Sequence, residues 1–232
     1  MATDRTIEKE IGSYISTRLR DYFGKGPSSV YVAAKPPFIA IQIRGFLAPT
    51  EKILVRQKEY RRVLEIRELL MKDLKPEISL KLMKIGGFSI NEIYIDWNLE
   101  EKTGLILAVS DHSSEEAERE WPEEVDESAF RFALQEVIGK TCKQPEETEI
   151  FWLNHRTILL RHTGIFLHIE KELIKAGFSE ELELVKRPLE RMMLRQLIWK
   201  STISRNVQEV FIDWHLEGDK GYIVMLLENE EK

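Results

Sequence analysis

Between residues 5 and 22 the apolar positions Ile7, Ile11, Tyr14, Ile15, Leu19 and Tyr22 recur every three or four residues. That spacing predicts an amphipathic helix, with Asp4 placed to cap it. Phe130, Ala133, Leu134, Val137 and Ile138 repeat the stripe behind Asp126. Each stripe is followed by two runs rich in β-branched residues, Val30–Ala33 with Ile39–Ile43 and Ile150–Leu153 with Ile158–Leu160. Their links, Lys35-Pro-Pro and Asn154-His-Arg, suit tight hairpins. Long helical patterns come next, over about 50–83 and 168–201. Pro76 is expected to kink or split the first, and Gly177 and Pro188 to interrupt the second. A second hairpin closes each half, so both halves read α-β-β-α-β-β.

The two halves also share residues. Ile95, Asp96, Trp97, Leu99, Glu100, Gly104 and Ile106 meet identical residues at Ile212, Asp213, Trp214, Leu216, Glu217, Gly221 and Ile223. Upstream, Gly45 and Glu51-Lys52 match Gly164 and Glu170-Lys171 at the same internal spacing. The separations are 119 residues there and 117 at the Asp-Trp motif, so a two-residue deletion accounts for the difference. A chain with only 5 tryptophans would not produce such a match by chance. The expected fold is α+β, with two tandem repeats, each a four-stranded sheet with helices on one face, related by a pseudo-twofold. Repeat 1 should span 5–110 and repeat 2 126–228, joined by a linker over 111–125.

Charge supports the linker. From Asp111 to Ser128 nine acids are opposed by Arg119 alone, a sum of −8 within a net charge of −6. The rest of the chain therefore sums to about +2, and the acidic stretch reads as a solvated spacer. No apolar run approaches the ~20 residues of a membrane helix, and the N-terminus has no signal-peptide core. A single cysteine, Cys142, excludes an internal disulfide framework and fits a reducing compartment, with the cytoplasm as default.

Candidate chemistry is sparse. Gly24-Lys-Gly-Pro27 lacks P-loop spacing and follows a helix, so Gly24 reads as a left-handed helix end. Strand alternation puts Ile95 and Trp97 on one face and Asp96 on the other. Asp96 and Asp213, just before a hairpin, are expected to accept hydrogen bonds from turn N–H groups. Trp97 and Trp214 read as core or interface anchors ahead of ligand stackers. His155, His162, His168 and His215 show no metal-ligand spacing, and no cofactor or metal is expected. The basic residues of the first long helix, among them Arg56, Arg61, Arg62 and Arg67, alternate with Glu59, Glu65 and Glu68. They predict an ion-paired, solvated face ahead of a nucleic-acid footprint.

Phe23-Gly-Lys-Gly-Pro-Ser-Ser-Val30, Gly45-Phe-Leu-Ala-Pro-Thr-Glu-Lys52, the Arg/Glu-rich helix after it and the Asp96 hairpin resemble the bacterial MpsC family. That family takes its name from a sodium-translocating, membrane-potential-generating system. The resemblance covers 5–110, while 126–228 looks like a diverged copy without the Gly-Lys-Gly-Pro turn or the Pro49-Thr50 helix start. It implies an association with ion or bicarbonate transport and brings no catalytic residues. The expected role is a cytosolic accessory or regulatory component with a protein partner, such as a membrane transporter subunit. That partner surface is expected near the Asp-Trp hairpins or the groove between repeats. A homo-oligomer is left open. A small-ligand sensor using the groove between repeats, and a hydrolase using Asp96 or Asp213, are the competing readings. Gly45, Gly164, Asp96, Trp97, Asp213 and Trp214 are the candidate structural or interaction residues.

Overall fold

A computed structural model describes residues 4–111, 121–123, 125–141, 143–196, 203 and 205–228. Cys142, the side chain of Val137 and most of the expected acidic linker (112–120 and 124) lie outside the described residues. The chain divides into two compact units, residues 1–114 and 115–232.

The first unit runs α1 (Asp4–Phe23), β1 (Ser29–Lys35), β2 (Phe38–Arg44), α2 (Pro49–Arg56), α3 (Tyr60–Gly86), β3 (Ile90–Asn98) and β4 (Thr103–Ser110). The second runs α4 (Glu127–Thr141), β5 (Glu147–Asn154), β6 (Thr157–Thr163), α5 (His168–Lys175), α6 (Ser179–Gln196), β7 (Val207–His215) and β8 (Lys220–Leu227). The sheets are antiparallel, ordered β1-β2-β4-β3 and β5-β6-β8-β7, so the same topology occurs twice. Register repeats as well. Trp97 pairs with Gly104 and Trp214 with Gly221, and a bulge interrupts β3 between Ile90 and Glu92 and β7 between Val207 and Glu209.

The helix ends follow local chemistry. Gly24 ends α1 with φ +71°, the left-handed conformation a side chain would disfavour. Asp126 caps α4, its Oδ1 accepting the Ala129 N–H at 3.0 Å. Asp4 is itself helical, the first residue of α1.

The break in the first long helix is not at proline. Pro76 lies inside α3 and Pro188 inside α6, and both helices continue through them. The interruption falls at Gln57-Lys58-Glu59, where Lys58 adopts φ +61°. Its counterpart 119 residues on is Gly177, φ +86°, between α5 and α6. Lysine carries no breaker signal, so the sequence pattern located the break correctly only at Gly177 and misplaced the first unit's break at Pro76.

In the first unit Ile39, Ile41, Ile43, Ile106 and Ala108 pack against Ile11, Ile15 and Leu19 of α1 and Val63, Met71, Leu74 and Ile78 of α3. The second unit matches, with Ile158, Leu160 and Met225 against Phe130, Leu134 and Leu194. One face of each sheet and the helical stripes thus meet in a core within each unit, while the central strands β2, β4 and β8 are buried along nearly their whole length.

Candidate functional site

The loop from β2 to α2 carries a set of buried polar contacts in the first unit's interior. Gly45 (φ +64°) turns the chain so that the Phe46 N–H donates to the Lys102 carbonyl at 2.8 Å. The Ala48 N–H, an unsatisfied donor at the start of α2, donates to Glu51 Oε2 at 2.7 Å. Arg67 then reaches from α3. Its Nε donates to Glu51 Oε1 and its Nη2 to Glu51 Oε2, each at 2.8 Å, and Nη2 also donates to the Phe46 carbonyl at 3.1 Å.

Aromatic rings surround the guanidinium. Arg67 Cζ lies 4.4 Å from the Trp97 ring centroid, 4.9 Å from Phe46 and 5.9 Å from Phe23. Arg67 is fully buried. Two sequence candidates, Gly45 and Trp97, therefore converge on a residue that the sequence reading had assigned to a solvated face. The signal was present. Arg67 occupies a core position in the stripe Val63-Arg67-Met71-Leu74-Ile78-Leu82, all buried.

The second unit repeats the pair with different residues. Leu167 N–H donates to Glu170 Oε2, and Lys186 Nζ meets Glu170 Oε1, both at 2.8 Å. Lys186 stands 119 residues after Arg67, as Glu170 does after Glu51. Lys186 also lies 3.2 Å from Glu190 and 5.4 Å from the Phe166 ring centroid. In both units a buried cation locks the short helix to the long one through a carboxylate at the short helix's first turn. With both oxygens of Glu51 engaged by donors, this carboxylate positions the backbone.

Trp97 and Trp214 are both buried in the cores, so they do not supply surface anchors near the hairpins. Asp213 Oδ1 accepts the Trp214 N–H at 3.0 Å, and further residues bond N–H groups in and beside the turns. Glu101 N–H donates to Asn98 Oδ1 at 3.2 Å in the first unit. In the second, Phe166 N–H donates to Asp219 Oδ1 at 2.9 Å, and Lys171 pairs with Asp219 at 2.6 Å. Asp219 is held below the usual carboxylate range: burial opposes this, but the Lys171 and Phe166 hydrogen bonds outweigh it. Asp96 sits within β3 opposite Leu105, buried, on the face away from the helices. Asp213 pairs with Arg187 of α6 at 3.0 Å, and that guanidinium lies 5.1 Å from the Trp214 ring centroid. Gly164 (φ +65°) occupies the second unit's equivalent of the Gly45 turn, its N–H donating to the Asp219 carbonyl at 2.9 Å.

A cavity of about 30 Å³ opens in the second unit, lined by His162, Ile165, Glu190, Leu194 and Trp214 among others. The matching first-unit positions of His162, Ile165 and Glu190 hold Ile43, Phe46 and Met71, which belong to the filled core. His162 is buried, its Nδ1 2.9 Å from the Thr148 hydroxyl, and burial pushes its pKa down to about 4. A water needs roughly 10–15 Å³ on this scale, so the space has room for about two waters. Among the described residues no group of three His, Cys, Asp or Glu is placed to hold a metal ion.

The solvent side of the long helices mixes charge with apolar positions: on α3 the exposed pairs Arg61–Glu65 and Arg62–Glu59 form the ion-paired face the sequence predicted, apart from Arg67. On α3, Ile66, Leu69, Leu80 and Met83 are exposed, with Leu69 at 69%. On α6, Leu184, Val185, Leu189 and Met192 are exposed, with Val185 at 71%, beside Ile169, Leu173 and Phe178. Ile66 and Val185 are equivalent by the 119-residue offset. Exposed apolar side chains gathered on one element mark interaction sites, and α5 with α6 carries more of them than α3.

Fold and contacts together define a tandem α+β protein whose two units share one topology and one buried cation–carboxylate lock. Residues 3–112 match the family model of MpsC, described as a Na+-translocating membrane potential-generating system. The match covers the first unit, where the motifs that resemble the family lie, and ends before the second unit. No curated protein and no solved structure gives a significant match.

Proposed function

We propose that this protein is a binding component of an ion-translocating membrane system, acting at the cytoplasmic side and performing neither transport nor catalysis itself. The observation that carries the reading is the solvent-facing seam Ile66-Leu69-Leu80-Met83 on α3, within the unit that matches the family. The family description supplies the membrane context, and among the described residues no helix is long and apolar enough to cross a bilayer. Ile66 with Leu69 and Leu80 with Met83 are two i,i+3 apolar pairs separated by the exposed Lys72, Asp73 and Pro76, so the fitting occupant is an amphipathic helix from a membrane subunit's cytoplasmic segment with polar residues at its middle.

Affinity purification from the native host, with detergent-solubilised membranes included, tests the proposal. The wild-type chain is expected to retain a membrane transport subunit. Leu69→Glu and Leu80→Glu, both at exposed positions, are expected to lose that subunit while keeping the wild-type melting temperature. Equal retention by both variants would overturn the docking surface. Turnover of a metabolite by the purified chain alone would overturn the non-catalytic assignment.

A further inference from the structure

Helix α6 is inverted relative to an ordinary surface helix. Its inward positions include Lys186 and Glu190, both buried, whereas Leu184, Val185, Leu189 and Met192 face solvent. The charged inward face is explained by the lock to Glu170. The outward apolar stripe has no such account within the unit.

The charges flanking the stripe have a direction. Glu180 and Glu181 lie in the first turn of α6 and Arg195 in the last. Glu183 adds to the acidic end and Arg191 to the basic end. The helix is therefore acidic at its start and basic at its finish, with the apolar stripe between. The same helix running the other way presents this order in reverse, acid to base and base to acid.

We propose that a second copy of this chain docks here, the two α6 helices packing antiparallel across a twofold axis near Pro188 and Leu189. In that arrangement Val185 of one copy lies opposite Met192 of the other, and Glu181 opposite Arg195. The twofold makes each contact occur twice. A parallel arrangement would set acid against acid and base against base.

The long helix of the first unit lacks this self-complementarity. α3 has no acid in its first turn, carries Arg61 and Arg62 near its start and ends with Lys84. Antiparallel self-pairing there would bring like charges together. The two apolar seams are accordingly assigned to different occupants, α6 to a second copy and α3 to another protein. An 18-residue helix is about 27 Å long. A seam of that length, extended by Ile169, Leu173 and Phe178, lies at the small end of specific interfaces and implies association in the micromolar range.

Sedimentation velocity of the full chain across the micromolar range tests the inference. A concentration-dependent monomer–dimer equilibrium is expected. Leu189→Glu should abolish it without lowering the melting temperature, since Leu189 is exposed in the monomer. Glu181→Arg alone should weaken the dimer on the order of tenfold by setting like charges opposite one another. Adding Arg195→Glu to Glu181→Arg should restore it, because the swapped pair is again complementary. A chain monomeric at every concentration would overturn the proposal, as would a dimer indifferent to Leu189→Glu. A double reversal weaker than the single one would also overturn it, even if Leu189→Glu failed to fold. Leu69→Glu on α3 should leave the dimer intact, which separates this result from loss of the membrane partner.

Discussion

Arg67 and Glu51 meet through two 2.8 Å hydrogen bonds, with their side chains 0% and 5% exposed. The pair joins the start of α2 to the second turn of α3, and the Trp97, Phe46 and Phe23 rings exclude water from it. A buried pair of this kind is worth little against an apolar replacement of the same shape. Removing one partner is costly, because the other charge remains desolvated.

Glu51→Gln is therefore expected to destabilise the first unit by about 3–5 kcal/mol. Replacing both partners with Glu51→Leu and Arg67→Met should cost much less than the single change. Urea denaturation followed by Trp97-sensitive fluorescence, in a background with the other tryptophans replaced, measures both. If the double variant were at least as unstable as the single, the ion pair itself would be the source of stability.

Gly104 lies beneath Trp97. A Cβ there would sit 2.2 Å from Trp97 Cε3 and 2.4 Å from Cζ3, so the indole would have to move. At Gly221 the nearest contacts are Ile165 Cδ1 at 2.8 Å and Trp214 Cδ1 at 3.2 Å, and the end of an isoleucine can rotate away. Gly104→Ala should cost about 1–3 kcal/mol, the range for overpacking, and Gly221→Ala should fall at or below its lower end. Thermal melting of the two variants ranks them.

Lys58 and Gly177 occupy the same left-handed corner between the short and long helices. A non-glycine residue there carries roughly 1–2 kcal/mol of backbone strain. Gly177→Ala meets no atom within 4 Å, so its expected loss of about 1 kcal/mol comes from the backbone alone. Lys58→Gly relieves the strain but adds unfolded-chain entropy, and a gain between zero and about 1 kcal/mol is expected. Melting temperatures that moved in the opposite directions would show that the two corners are not equivalent.

His162 is buried as the neutral imidazole, its pKa about 4 in the folded chain against 6.5 unperturbed. The unfolded state binds more protons between those values, so stability falls as pH drops through that window. The full loss is about 3 kcal/mol, at roughly 1.4 kcal/mol per pH unit. His162→Ile, which installs the first unit's residue Ile43 at the matching place, should remove that slope. Urea midpoints of both proteins between pH 6.5 and 4 decide it, and parallel slopes would count against burial as the cause.

The sequence by itself determined the elements, the hairpins and the repetition. Strand alternation, helical stripes and the matched Ile-Asp-Trp segments are local patterns, and local geometry imposes them directly. It also indicated the family that the first unit matches, through turns whose residues are adjacent in the chain. Tertiary structure decided what depends on distant residues meeting. The order β1-β2-β4-β3 places β4 between β2 and β3, which no local signal encodes. Arg67 has the appearance of a surface residue among Glu65 and Glu68 until Glu51, Phe46 and Trp97 close around it. Lys58 breaks a helix without a breaker's chemistry, because the lock between α2 and α3 requires a corner there. The apolar seams of α3 and α6 became surface for a related reason: buried charge takes inward positions on both helices, and several apolar side chains are left facing solvent.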